Sequence, residues 1–259
     1  MRFYSCFAFD LDGTLYRGGE VIDGAVAAVS SLESRGAAIL YVTNNSGLMR
    51  QDYVAKLASL GFRATQEQIV TSGTVAANYC VREAILRVFV VGEPGLVGTL
   101  RESGIEVVNG DTSGRLNINR AGAQAVLSGI CREDFSYKLL DAAMQVAIST
   151  GKYIACNRDL TYPIEDGKFC PGSGAIVAAI EACSGVTATE LGKPKPAILT
   201  DALSRLGIEP KDTLMVGDRI DTDIACGIAA GADTCLVLTG VEQKPVDGQW
   251  CIASVKDLA

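Results

Sequence analysis

The 259 residues contain no histidine. That absence removes Ser-His-Asp and Cys-His nucleophile systems, HExxH zinc sites and imidazole-ligated iron, and it leaves carboxylate, Lys, Thr and Cys chemistry. Nine cysteines are present, but none is spaced as CxxC and the total is odd, which argues against a disulfide framework and against zinc ribbons. Most read as small core hydrophobes. Positive charge is also scarce, and a formal net charge of −7 disfavours an electrostatic grip on nucleic acid or anionic lipid. There is no apolar run of about 18 residues to span a membrane, and no signal-peptide architecture before the first strand. The expectation is a protein of the reducing cytoplasm, in which the sequon Asn44-Asn45-Ser46 has no bearing on glycosylation.

What is present is an ordinary globular composition, 48% hydrophobic and 20% charged, in a chain long enough for one large domain or two smaller ones. Its organising stretch is FYSCFAFDLDGT, Phe3 to Thr14, an apolar run that reads as a buried strand ending in two carboxylates. In an open α/β sheet the useful crevice lies outside the carboxyl ends of the strands. Asp10 and Asp12, two apart on an extended segment, share one face there. Like charges so close cannot both ionise without a cation, which favours Mg²⁺, a hard ion that takes a few oxygens and keeps other positions for water and phosphate. An isolated DxDG is equally an Asp-rich turn closing a strand, so the rest of the chain decides.

Read in order, strand and helix alternate. Tyr16 to Val21, with Gly18-Gly19 at its centre, predicts a short hairpin. Helical periodicity follows over 24–35, a buried strand over 37–42, a helix over 49–60, a strand at 68–71 and a helix from about 73 to 82. This βαβα order predicts a parallel sheet with helices on both faces. A second α/β passage begins near Arg87, with strands expected at VFVVG, 105–108, 124–129 and 152–156 and helices at 95–103 and 135–150. Residues 109–122 read as a loop, and Asn157 to Gly172, with Pro163, Gly167 and Pro171, as turn chemistry. GSGAIVAAIEACSG reads as a helix; it mimics GxGxxG, but Val177 stands where Gly or Ala is needed. From about Glu190 the first pattern resumes with a helix at 196–206, a strand at 213–217, a helix at 221–230, a strand at 234–240, and a short strand near 250–252 before a frayed helix.

Four polar stations therefore recur at strand ends and helix starts: Asp10 and Asp12; Thr43-Asn44; Lys193 in Gly192-Lys193-Pro194; and Asp218 in GDRIDTD, with Asp221 and Asp223. Each alone has an ordinary explanation as a turn, a solvated lysine or an acidic helix start. Together on one edge of a sheet they make a single anion-and-metal site the simpler account.

These motifs, in this order, resemble the haloacid dehalogenase superfamily: Asp10-Leu11-Asp12-Gly13-Thr14, then Thr43-Asn44, then Lys193, then Gly217-Asp218 with Thr222-Asp223. Only 33 residues separate Asp10 from Thr43, whereas 150 separate Thr43 from Lys193, which places an inserted cap after the second motif. TNNS, VTSG at 70–73, CNRDLTYP at 156–163 and the PGSG helix before GKP are similar to the NagD-like, p-nitrophenyl-phosphatase-like branch. The expected fold is α/β, a Rossmann-like parallel-sheet core with an inserted α/β cap: core over 1–82 and 188–259, cap over 83–187, with hinges near 82–86 and 185–190.

The resemblance implies a Mg²⁺-dependent phosphatase that acts on small phosphomonoesters through an aspartyl-phosphate. Asp10 would be the nucleophile, Asp12 the general acid and base, and Thr43, the Asn44 backbone and Lys193 the phosphoryl-oxygen partners. The Asp10 carboxylate, the Asp12 carbonyl and Asp218 would hold Mg²⁺, with Asp223 steering bound water. In the cap, Asn157, Arg158, Asp159 and Tyr162 fall in a loop similar to one that such caps lower over the site, with Arg158 and Tyr162 expected to meet the leaving group. The segment Ser128-Gly129-Ile130-Cys131 departs from the branch's more familiar turn. The partner expected is a small phosphorylated molecule, with neither nucleic acid nor membrane, and a homodimer stays open. Another phosphotransferase on the same core, or a phosphometabolite-binding protein without catalysis, are the alternatives.

Overall fold

The computed structural model describes residues 3–163 and 168–258. By internal contacts the chain forms two compact units. The first comprises 1–43, 50–70 and 193–259, and the second 44–49 and 71–192. Against the divisions anticipated at 82/83 and 187/188, the contact boundaries lie at 70/71 and 192/193. The helix at 72–82 goes with the second unit because it packs on the helix at 94–102.

In the first unit, β1 (Cys6–Phe9) lies at the middle of a six-stranded sheet. A hairpin of β2 (Tyr16–Arg17) and β3 (Glu20–Val21) follows, then α1 (Ala25–Ser34), β4 (Ala38–Thr43), α2 (Arg50–Ser59) and β5 (Ile69–Thr71). After α3 (Ser72–Arg82), the second unit runs through β6 (Arg87–Val91), α4 (Pro94–Glu102), β7 (Glu106–Val107), β8 (Ala125–Ser128), α5 (Tyr137–Thr150) and β9 (Tyr153–Ala155). It continues with β10 (Thr161–Pro163), β11 (Phe169–Pro171), α6 (Ser173–Ser184) and β12 (Thr189–Glu190). The first unit resumes with α7 (Ala197–Leu206), β13 (Thr213–Gly217), α8 (Ala225–Ala230), β14 (Asp233–Val237) and β15 (Cys251–Ile252).

The first sheet has the order β15-β14-β13-β1-β4-β5. β1 runs parallel to both β13 and β4, with Phe9 level with Val216 on one side and Tyr41 on the other. That register brings the residues after each strand to one edge: Asp10 after β1, Thr43 at the end of β4, and Asp218 after β13. The strands are continuous apolar runs, as a sheet buried on both faces requires, and Phe7, Phe9, Ile39, Leu40, Met215 and Val216 are all buried.

The second unit has its own five-stranded parallel sheet, β12-β9-β8-β6-β7, and its own core, in which Phe89, Val126, Val146, Ile176 and Ile180 pack together. Helix α5 begins where the Ser136 hydroxyl accepts the Leu139 N–H at 3.3 Å, an N-cap, and it buries Leu139, Ala143 and Val146 against the sheet.

Three expectations need correction. The stretch read as turns contains an antiparallel pair, β10 with β11, in which Tyr162 faces Cys170 across the ladder. Three-residue strands that end on Pro163 and Pro171 show no alternation to read, and a pair without further neighbours tolerates proline. Gly167 lies outside the described residues. The helix anticipated at 221–230 starts as a wide π-type turn over Ile220–Ile224, because the Asp223 carboxylate takes the backbone N–H groups of Asp218 and Arg219, each at 3.1 Å. The strand read as 234–240 stops at Val237, and the chain beyond it turns back towards Asp218.

Candidate active site

The sheet edge of the first unit gathers six of the residues singled out in the sequence. Asp10 enters on the strand ladder, its N–H donating to the Val216 carbonyl at 2.8 Å. Its carboxylate, with those of Asp218 and Asp223, offers oxygens that all lie within 4.8 Å of one another, and all three residues are buried. Lys193, only 2% exposed, donates to Asp10 at 2.5 Å and to the Val42 carbonyl at 3.2 Å, and its Nζ lies 2.7 Å from Asp223 Oδ1. Asp12 follows at the same edge but is not a member of the carboxylate cluster; its Oδ2 accepts a long 3.5 Å contact from the Tyr16 hydroxyl. Thr43 is buried at the end of β4. Asp221, by contrast, is exposed and ion-paired with Arg219 at 2.8 Å.

Two glycines make room for these acids. Gly13 turns the chain at φ +88° directly over Asp218, and a Cβ there would sit 2.5 Å from the carboxylate. A Cβ on Gly240 would clash outright with the same oxygen. Gly240 was not foreseen, nor were its neighbours: the Val241 N–H donates to Asp218 Oδ2 at 2.6 Å, and the Thr239 hydroxyl donates to the Gly13 carbonyl at 2.7 Å. The available signal was a Thr-Gly pair at the end of a buried strand, which resembles any strand-to-loop transition.

Burial sets the electrostatics. Asp10 is raised well above the usual carboxylate range, first by desolvation; the Lys193 ammonium opposes this, while the charges of Asp223 and Asp218 add to it. Asp218 is pushed up to about 6, again by burial first and then by Asp223. Burial pulls Lys193 down, but the Asp10 and Asp223 carboxylates outweigh it and its pKa is raised. Asp12 is exposed as a residue, and desolvation of its carboxyl by the surrounding protein raises it against the pull of the Lys56 ammonium. Among the described residues, three buried carboxylates thus face one buried ammonium, an imbalance that a divalent cation would relieve. All the donors are hard oxygens, the kind Mg²⁺ selects.

The remaining candidates lie in the second unit. Asn44 donates from Nδ2 to Asp159 Oδ1 at 3.0 Å, and its carbonyl accepts from Asn157 Nδ2 at 2.6 Å and from the Ser72 hydroxyl at 2.5 Å. Arg158 forks onto Glu181 at 2.6 and 3.0 Å and lies 3.9 Å from Glu190. Tyr162 is half-buried on β10, with the Arg132 guanidinium 5.9 Å from its ring centre. Arg132 in turn is held by both oxygens of Glu93, at 2.5 and 2.6 Å.

Residues 7–106 match the family model for haloacid dehalogenase-like hydrolases, and residues 190–257 match a second, HAD-hydrolase-like model. An acid sugar phosphatase from Staphylococcus saprophyticus is 35% identical over 94% of this chain and 90% of its own length. Among solved structures, a p-nitrophenyl phosphatase from Archaeoglobus fulgidus superposes with a TM-score of 0.88 at 31% identity, covering 99% of this chain and 98% of that one. A glycerol phosphate phosphatase from Mycobacterium tuberculosis, solved in complex with magnesium, gives a TM-score of 0.85 at 31% identity over 98% of this chain and 77% of its own. With four motifs meeting at one sheet edge and relatives aligned over nearly the whole length, the chain belongs to the haloacid dehalogenase-like hydrolases, in their NagD-like, p-nitrophenyl-phosphatase-like branch of phosphatases.

Proposed function

We propose that the chain is a Mg²⁺-dependent phosphatase that hydrolyses small phosphomonoesters through an aspartyl-phosphate on Asp10. The observation that carries this is the convergence of Asp10, Asp218 and Asp223 within 4.8 Å, with Lys193 bonded to the first and ion-paired to the last. The Asp10 carboxylate, the Asp12 carbonyl and Asp218 would hold Mg²⁺, which when bound would offset negative charge on the phosphoryl group and on the attacking carboxylate. Asp223 is ion-paired with Lys193 through Oδ1 and accepts two backbone N–H groups at Oδ2, so it braces Asp218 and Lys193.

One carboxylate oxygen of Asp10 attacks phosphorus while the bond from phosphorus to the ester oxygen breaks, and Asp12 gives the departing oxygen its proton. In the second half, Asp12 takes a proton from water, the water oxygen attacks phosphorus, and the bond to Asp10 breaks to release phosphate. Lys193, the Thr43 hydroxyl and the Asn44 N–H meet the phosphoryl oxygens, where charge accumulates in the transition state. The relatives' substrates, a sugar phosphate, an aryl phosphate and glycerol phosphate, share the phosphoryl group and little else. Discrimination is accordingly assigned to the second unit. There Tyr162 is the candidate for the leaving group, because Asn157, Arg158 and Asp159 are committed to partners in their own unit.

The test is a panel of sugar, polyol, nucleotide and aryl phosphates assayed with Mg²⁺ and with excess chelator, followed by acid trapping of labelled enzyme. Turnover that needs Mg²⁺, with label on the peptide containing Asp10, is expected. Undiminished turnover in chelator, or label absent from that peptide, would exclude the mechanism.

A further inference from the structure

Asp218 is gripped by a segment that takes no part in the chemistry described above. The Val241 N–H donates to its Oδ2 at 2.6 Å, and the Glu242 N–H donates to its carbonyl oxygen at 3.1 Å. Two consecutive residues thus hold Asp218 by its side chain and by its main chain. Two glycines close further approaches. A Cβ on Gly13 would meet the carboxylate at 2.5 Å and the Gly240 Cα at 3.1 Å, and a Cβ on Gly240 would clash with the carboxylate itself. On the sides of Gly13 and Gly240, a change of rotamer at Asp218 would run into backbone.

Thr239 fixes the turn that supplies these contacts. Its hydroxyl donates to the Gly13 carbonyl at 2.7 Å, and its own carbonyl accepts Arg17 Nε at 2.6 Å together with Nη2 of the same guanidinium. Gly13 in turn donates its N–H to the Tyr16 carbonyl at 2.8 Å, and Tyr16 and Arg17 form β2. The strand order makes this bond informative. Thr239 follows β14 and Gly13 follows β1, while β13 lies between those two strands and ends at Asp218. The Thr239–Gly13 bond therefore crosses the carboxyl end of β13, tying the two flanking turns together around the carboxylate. Every residue in this arrangement belongs to the first unit.

We propose that Thr239 is a positioning residue for the metal site: by joining the turn after β14 to the turn after β1, it holds the Asp218 carboxylate beside those of Asp10 and Asp223 before a cation arrives. Mg²⁺ tolerates little departure from octahedral geometry, so a carboxylate already in place contributes affinity, whereas Ca²⁺ accepts looser arrangements. Partners that orient a metal ligand typically account for about 10–100-fold in affinity. Thr239 acts through Gly13, Gly240 and Val241 and is not itself a ligand. The inference rests on the Mg²⁺-dependent reading proposed above and assigns it a residue outside the four motifs.

The experiment measures Mg²⁺ and Ca²⁺ binding to the full chain by calorimetry, and kcat/KM for an aryl phosphate over a range of Mg²⁺ concentrations. The variants are Thr239→Val, which keeps the shape and loses the donor, Thr239→Ser, which keeps the donor, and Gly240→Ala. Thr239→Val should bind Mg²⁺ about tenfold more weakly while Ca²⁺ affinity stays within about threefold of wild type. Its kcat/KM should return to within about twofold of wild type once Mg²⁺ is saturating, because the deficit lies in metal affinity. Thr239→Ser should bind Mg²⁺ more tightly than Thr239→Val. Gly240→Ala, whose Cβ must displace the carboxylate, should lose about a hundredfold in Mg²⁺ affinity. Metal-free thermal melts set a temperature at which the variants are folded, and Thr239→Ala stands in should Thr239→Val not fold. A merely structural role would lower the metal-free Tm and leave the Mg²⁺ affinity of the folded protein unchanged. Wild-type Mg²⁺ affinity in Thr239→Val, equal losses for the two ions, or a kcat/KM deficit that persists at saturating Mg²⁺ would overturn the positioning role. A wild-type chain that takes up no Mg²⁺, or that turns over fully in chelator, refutes the metal-dependent phosphatase itself, so the two failures are distinct.

Discussion

The two units treat their polar groups in opposite ways. In the second, charge and amide groups find partners: Arg158 with Glu181 and Glu190, Arg132 with Glu93, and Asn44 with Asn157, Asp159 and Ser72. In the first, Asp10, Asp218 and Asp223 share one ammonium, and the carboxyls of Asp10 and Asp218 are raised by their burial. The contrast separates scaffold from chemistry. Satisfied pairs hold a surface in shape, whereas a surplus of buried like charge persists only where a ligand or a reaction uses it.

The sharpest way to break the comparison is at the nucleophile. Asp10→Asn keeps the shape of the side chain and removes the attacking charge, so turnover should fall by about 10⁴-fold or more while the circular dichroism spectrum is unchanged. Activity within tenfold of wild type would place the chemistry elsewhere. Asp12→Asn should cost less, about 10²–10⁴-fold, the usual range for losing a general acid and base. Because an aryl leaving group scarcely needs a proton, this variant should show a burst of about one equivalent of phenol per site before slow turnover. A linear time course from the first turnover would contradict the division of labour between the two acids.

A subtler contrast concerns pH and metal. The folded Asp218 carboxyl titrates at about 6, above its ordinary 3.8, so the metal-free protein loses stability as the pH rises from about 4 to about 6 and this group ionises. Mg²⁺ needs the ionised form, so its affinity should weaken as the pH drops below about 6. Asp218→Asn should therefore raise the metal-free Tm, by about 1–3 kcal/mol of stability, and abolish the further rise in Tm on adding Mg²⁺. A metal-free Tm lower than wild type would mean that the acid is structural.

The smallest effect should come from the paired charges of the second unit. The Arg158 hydrogen bonds hold the Glu181 carboxyl below its usual 4.5, so the pair stabilises above that pH and the contribution is lost as the pH falls below it. Partial exposure and solvent screening limit the pair to about 1 kcal/mol. Glu181→Gln should lower Tm by a few degrees at pH 7, converge with wild type in acid, and leave kcat/KM within about twofold. A substrate-dependent change in KM would instead bring Arg158 back as a contact of the leaving group.

Much of this was legible in the chain itself. The continuous apolar strands, the glycine-closed helices and the order of the four polar stations determine a parallel α/β core, because periodicity and turn chemistry are local properties. The elements that escaped were short or irregular. The β10–β11 pair is too brief to alternate, and the π-type turn at Ile220–Ile224 arises from one carboxylate reaching back to two N–H groups, which no periodicity encodes.

At the site, the sequence by itself placed Asp10, Thr43 and Asp218 at strand ends whose register a parallel sheet brings to one edge, with Lys193 and Asp223 in the loop and turn that lead into the following helices. Only the tertiary structure decided how each is employed. Gly240 and Val241 join Asp218 across more than 20 residues of chain. Lys193 spans Asp10 and Asp223, and Asn157 and Asp159 turn inward to Asn44. Local sequence fixes the backbone's course and the character of each side chain. Which donor meets which acceptor depends on distances between segments far apart in the chain, and those exist only once the sheets have formed and packed.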